Sequence, residues 1–276
     1  MSVRLRDLFG GELGQMRHEP TAKRVRAKLD GETVVDSDRA VLVWEPRRVV
    51  PTYAVPAEDV DADLSTAPKS SETAAGFALP GLTELPIYDP RVPFDVRVGE
   101  GEPVQVRARA TGRTARGFRS TDPDLAGLVI LDFASFDQWL EDGDEVVGHP
   151  RDPYHRIDVR TSSRPVQWML DGEVLARSTR ARIVYETMLP ERYYVPAEDV
   201  VAARELSPTK TYCAYKGKAS YWTVDLPDRR VDDLMWGYQS PLPDAAQLAG
   251  YVTFFDERSD LVVDGVTRAR PTTPWS

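Results

Sequence analysis

The 276-residue chain is short of the residues that build staples, metal cages and membrane spans. Its single cysteine, Cys213, excludes an intramolecular disulfide and a zinc site made from paired cysteines. No window approaches the ~20 apolar residues that a membrane helix needs. Positive charge is also scarce: 35 Lys and Arg stand against 44 Asp and Glu, a net charge of −9. No cationic excess is left to replace counterions on nucleic acid or on an anionic membrane. The opening residues, Met1 to Phe9, lack the apolar stretch of a signal peptide. Together these shortages predict a cytoplasmic protein with neither nucleic acid nor membrane as partner, and they point to no cofactor. The length suits two domains, each large enough to bury a core.

What the chain does have is a repeat. Leu29-Asp30-Gly31-Glu32 returns as Leu170-Asp171-Gly172-Glu173, 141 positions later. Val55-Pro56-Ala57-Glu58-Asp59-Val60 returns unchanged as Val195-Pro196-Ala197-Glu198-Asp199-Val200, 140 positions later. A period this long means two whole domains rather than a solenoid, with expected bounds of 1–148 and 149–276. Ser37, Arg39 and Glu45 align with Ser178, Arg180 and Glu186, and Ala126-Gly127-Leu128-Val129 aligns with Ala249-Gly250-Tyr251-Val252. Between the last two motifs the first copy is longer by 17 residues. Its segment 61–101 is polar and rich in small residues, with Pro80, Pro86, Pro90 and Pro93, and is expected to be a flexible insert.

The local pattern predicts mainly strand. Asp-Gly between two apolar runs is a hairpin signal, because the turn needs positive φ. Pro-Ala-Glu-Asp fits the start of a short helix. Pro243–Leu248 and Phe133–Leu140 are further helix candidates.

The candidate chemistry lies in the second copy. In Thr211-Tyr212-Cys213-Ala214-Tyr215-Lys216-Gly217, alternation puts Thr211, Cys213 and Tyr215 on one face, and Gly217 marks a turn. Ala219 and Tyr221 follow on the returning strand, beside Trp222, and Trp236 and Tyr238 come from the next. Such faces predict an aromatic wall closed by Glu186 and by Arg192, Tyr193 and Tyr194. In this site Lys216 meets an anionic or carbonyl group, Glu186 is the candidate general base and Cys213 the candidate thiol. Thr211, Tyr194, Tyr215, Tyr221, Trp222, Trp236 and Tyr238 are the expected ligand contacts. The competing view makes the aromatics core, Cys213 a small buried hydrophobe and Lys216 a solvated turn residue. The first copy lacks this motif and offers Val104-Gln105-Val106-Arg107-Ala108-Arg109 instead.

Other clusters carry less. His149, Asp152 and His155 lack the spacing of a helical metal pair, and the two prolines among them predict an extended inter-domain clasp rather than a metal site. Asp61 and Asp63, Asp122 and Asp124, and Asp142 and Asp144 mimic metal-binding acid pairs but follow no phosphate cradle. No metal is expected.

Tyr193-Tyr194-Val195-Pro196-Ala197-Glu198-Asp199-Val200, the Thr211–Tyr221 motif and Trp236-x-Tyr238 together make the chain resemble a tandem member of the domain of unknown function 427 family. The one departure is Ala214, where that motif has proline. The resemblance implies two compact antiparallel β domains with short helices, similar to the β-tent of methionine sulfoxide reductase B, here without the four-thiolate zinc. It supplies no reaction, and the nucleotidyltransferase label sometimes attached to the family finds no support in these residues. Two functions follow: a small-molecule pocket in the second domain, binding or transforming its ligand, or a non-catalytic interaction or structural module.

Overall fold

Two seven-stranded antiparallel sheets carry the fold, one in each half of the chain, in a computed structural model that describes residues 2–79 and 82–275. The chain divides into two units, Met1–Asp152 and Pro153–Ser276. In the second unit the large sheet runs Ile157–Thr161, Arg182–Glu186, Arg192–Pro196, Tyr251–Phe254, Arg230–Tyr238, Gly217–Asp225, Arg204–Cys213. In the first it runs Arg17–Pro20, Val41–Trp44, Thr52–Pro56, Leu128–Leu131, Thr114–Ser120, Gly101–Arg107, Asp63–Thr66. Each unit adds a four-stranded sheet built around the Leu-Asp-Gly-Glu hairpin. The order is the same in both units, so the repeat is a repeat of topology. The architecture is mainly β, as expected.

Local chemistry explains the repeated motifs. Asp30 and Gly31 take φ of 48° and 80°, and Asp171 and Gly172 take 52° and 87°. Both central residues of each turn are thus left-handed, the geometry that matches strand twist in a two-residue hairpin. The acids of Val-Pro-Ala-Glu-Asp-Val are held by the Ser-x-Arg that precedes them. Arg39 meets Asp59 at 2.5 Å and Glu58 at 3.0 Å, and Arg180 meets Asp199 at 2.5 Å and Glu198 at 3.2 Å. The motif ties a short 3-10 turn to the small sheet in both units and has no free carboxylate for chemistry.

The main core of each unit lies between its two sheets. In the second it comprises Val166, Trp168, Leu175, Ile183, Tyr193, Val195, Met235 and Phe254, among others. Alternation sends the neighbours of these residues to the opposite, outer face of the large sheet, where Val184, Tyr194, Ala219, Trp236 and Tyr238 form a separate cluster.

Two expectations are corrected. Phe133–Leu140 is not a helix: a 3-10 turn at Phe133–Ser135 gives way to the strand Gln138–Glu141. Asp132 caps only that first turn, through Ala134 N at 3.2 Å, and Trp139 is needed in the core, stacked on Phe133 at 5.4 Å. The insert also begins later than expected, because Asp63–Thr66 is the edge strand of the first large sheet. Beyond it, Phe77–Leu79 and Thr83–Ile87 pair as a small hairpin; Pro80 lies outside the described residues. Pro243–Leu248 is helical, as a kinked 3-10 segment.

Candidate functional site

The outer face of the second large sheet gathers most of the predicted residues. Tyr194 and Arg192 reach it from one strand, Trp236 and Tyr238 from another, Ala219 and Tyr221 from a third, and Cys213 and Thr211 from the edge. Gly237 lies between Trp236 and Tyr238 because a Cβ there would stand 2.6 Å from the Tyr251 carbonyl oxygen. Thr211 Oγ1 and Tyr221 Oη share a hydrogen bond of 2.8 Å. Phe255 packs on Trp236 with ring centres 4.2 Å apart and lies 6.4 Å from Tyr221, nearly parallel to it. Tyr194 meets Trp236 edge-on at 6.5 Å. The Arg192 guanidinium lies 5.2 Å from the Trp236 ring centre and is anchored by Asp256 at 3.0 Å and Glu257 at 2.8 Å.

At one end of this face sits a buried charged cluster. Lys216 Nζ donates to Glu186 Oε2, and His155 Nε2 stands 3.1 Å from Oε1. The Tyr215 ring stacks on His155 at 4.3 Å. The Lys216 and Glu186 side chains are only 9% and 11% exposed. Lys216 is therefore not a solvated turn residue. Burial alone would raise the Glu186 carboxyl, but the Lys216 ammonium and the His155 hydrogen bond outweigh it and bring it down to about 2. Burial likewise opposes the Lys216 charge, and Glu186 more than reverses this, holding the ammonium well above its ordinary range. A lysine kept protonated is a poor nucleophile, and a carboxylate this acidic is a weak general base at neutral pH. Burial pushes the Tyr194 hydroxyl up to about 12, and Tyr238 well above its ordinary value.

Not every predicted residue joins this face. Trp222 packs on the inner core, because it alternates with Tyr221 along one strand. Tyr215 and Trp236 are buried, as the structural-module view expects, whereas Cys213, Tyr221 and Phe255 remain half-buried. A cleft of about 570 Å³ lies elsewhere, lined by Gln167, Arg177, Thr179 and Arg180 among others. Sequence reasoning missed His155 as the partner of Glu186 and Phe255 as part of the wall. The His149–Arg156 segment had singled out His155, but no local signal ties it to Glu186. The acid pairs serve the fold: Asp61 and Asp63 both bind Arg109, and Asp122 caps a turn through Asp124 N. Among the described residues no group of three or more His, Cys, Asp or Glu is placed to hold a metal ion.

The first unit carries the same elements with different side chains. Glu45, the counterpart of Glu186, is 2% exposed and binds Arg97. Arg97 comes from the insert, which occupies the place of the short connection that supplies Lys216. Matching the repeat motifs and the strand register sets Ala54, Phe118 and Ile130 opposite Tyr194, Trp236 and Thr253. The Arg97 guanidinium lies 3.6 Å from the ring centre of Phe94 and 4.3 Å from that of Phe118.

No curated protein matches the chain. The family described as "Domain of unknown function (DUF427)" matches residues 17–75 and 158–265, one segment in each unit and more than half of the sequence. The chain therefore belongs to the DUF427 family, as a two-part member.

Proposed function

We propose that the second unit binds a small molecule, without covalent chemistry, on the outer face of its large sheet. The contrast between the two copies supports this. In the first unit the chain covers that face itself: Phe94 packs on it, Arg97 lies over Phe118, and aliphatic Ala54 and Ile130 fill the floor. In the second unit the corresponding connection is only Ala214 to Lys216, and three residues span about 10 Å at most. That is too short to lay a plug across four strands spaced ~4.8 Å apart. The same positions carry Tyr194, Trp236 and Thr253, with Tyr221, Cys213 and Phe255 half-buried around them. A mostly aromatic surface with a few polar groups is a usual form of small-molecule site.

The recurrence of a buried carboxylate and cation in both copies, Glu45 with Arg97 and Glu186 with Lys216, favours a structural role for that pair. Under a second reading the whole cluster is structural and the unit is a non-catalytic interaction module. A thermal-shift screen of planar metabolites separates the two. Binding on this face predicts stabilisers whose effect is lost in Tyr221→Ala and Phe255→Ala. Stabilisers that survive both substitutions count against the proposal.

A further inference from the structure

We infer that the second unit has a further binding site, on the outer side of its small sheet, for a small molecule that joins an apolar body to an oxyanion, and that Arg177 receives the oxyanion. This site is separate from the aromatic face proposed above and does not depend on it.

The cleft of about 570 Å³ lies where Gln167 and Arg177 face each other on neighbouring strands, with Pro165, Thr179, Val262 and Gly265 among its other lining residues. Strand alternation turns Trp168 and Ala176 into the core and leaves Gln167 and Arg177 on the opposite side. The volume falls in the range of small-molecule sites, roughly 300–1,000 Å³.

The repeat gives a reason for the cleft. Counted at the 141-residue period, Pro165, Gln167, Arg177 and Thr179 stand at the places of Arg24, Arg26, Asp36 and Asp38. The backbone agrees: Asp142 N donates to Arg24 O at 2.8 Å in the first unit, and Asp264 N donates to Pro165 O at 2.9 Å in the second. In the first unit Arg24 reaches across to Asp36 and binds both carboxylate oxygens at 2.6 Å. Asp38 also acts on Arg24 electrostatically. In the second unit that ion pair cannot form, because proline replaces the arginine and a guanidinium replaces the carboxylate. The bridging side chains are gone, and the charge at the place of Asp36 has changed sign.

The chemistry left at Arg177 is that of a donor to an anion. Its Nε donates to the neutral Gln167 Oε1 at 3.2 Å, and among the described residues no carboxylate pairs with it. The other charges around the cleft are paired with one another. Arg180 holds Asp199 at 2.5 Å and Glu198 at 3.2 Å, Ser178 also bonds to Asp199, and Arg164 holds Asp264 at 2.6 Å. Arg177 is exposed, so a ligand can reach it. Its two Nη groups form the flat fork that matches two oxygens of a carboxylate or phosphate, a charge-assisted pairing of high strength. The Gln167 side-chain N–H groups and the Thr179 hydroxyl add neutral donors. Pro165 and Val262 supply an apolar wall. A cation arriving here would meet Arg177 and find no free carboxylate.

Heteronuclear NMR of the full chain at neutral pH, titrated with phenyl phosphate, benzoate and the cationic benzamidine, tests this. At least one of the two oxyanions should give saturable shifts at the Gln167 side-chain amide and the Ser178 and Thr179 backbone amides. The tighter of the two names the preferred oxyanion. Benzamidine should leave these signals in place. Arg177→Gln should weaken oxyanion binding roughly tenfold or more, the worth of one hydrogen bond to a charged group. It alters an exposed side chain and should not lower the melting temperature. Pro165→Arg with Arg177→Asp rebuilds the ion pair of the first unit and should abolish the shifts. Wild-type affinity in either variant overturns the inference, as does benzamidine moving the same amides as strongly. The inference also fails if neither oxyanion moves them, and oxyanion shifts confined to the Trp236 indole would assign the binding to the aromatic face instead.

Discussion

Replacing Lys216 with methionine removes the cation from a buried pair while keeping most of the side-chain volume. Glu186, 11% exposed, then retains only His155. Its present preference for the charged form, titrating near about 2 where a free glutamate titrates at 4.5, corresponds to about 3 kcal/mol. Lys216 supplies the larger part of that preference, and breaking a buried pair from one side costs about 3–5 kcal/mol in general. We expect Lys216→Met to cost about 3 kcal/mol in urea unfolding, or roughly 10 °C in melting temperature for a unit of this size. The double variant Lys216→Met with Glu186→Gln should recover at least half of the loss, since no buried charge is then left alone. The pH dependence gives a second reading of the same pair. The folded Glu186 is more acidic than the unfolded one, so its contribution is complete above the ordinary glutamate value and drains away as pH falls towards about 2. Glu186→Gln should flatten that part of the stability profile. A single-variant loss under ~1 kcal/mol, with no coupling in the double variant, would falsify the claim that the pair is buried and mutually supporting.

Two further outcomes follow from the same geometry. Lys216 is buried and held protonated whereas Lys218 beside it is exposed, so amine acylation followed by peptide mass mapping should label Lys218 first; equal rates would mean an open Lys216. In the first unit, Arg97→Met leaves Glu45 only the more distant Arg48, at 3.6 Å, and uncovers Phe118. It should destabilise that unit by about 3 kcal/mol and raise the binding of a hydrophobic dye, and a silent substitution would remove the plug from the account.

How much of this was legible in the sequence depends on the range of the interaction. The Asp-Gly turns were readable because they need positive φ at two adjacent residues, a local requirement. The split of Tyr193 inward and Tyr194 outward follows from strand alternation, and the same rule places Trp222 on the inner core, away from the predicted wall. The strand Asp63–Thr66 escaped notice because it is an edge: its residues are mostly exposed and show no apolar period. The Phe133–Leu140 segment was ambiguous by pattern, and burial of Trp139 decided it. The pairing of Lys216 with Glu186, 30 residues away, and of His155 with the same carboxylate is tertiary. Nothing in the local sequence announces it. The repeat drew attention to Glu45 and Glu186 as a pair of equivalents, and the structure gives the physical reason: each is the buried anchor for a cation that its own connection delivers.

The central claim is that the outer face of the second unit takes a ligand at the place where, in the first unit, the insert lays Phe94 and Arg97 across the sheet. The six tryptophans report on it directly. Trp236 lies in the cluster on the outer face of the second large sheet, Trp44 and Trp139 in the first core, and Trp168 and Trp222 against the second. Indole N–H resonances recorded during titration with a library of planar fragments should show Trp236 shifting while Trp44, Trp139 and Trp168 stay in place. Fragments that leave Trp236 unmoved, or that shift the core tryptophans instead, would contradict the account.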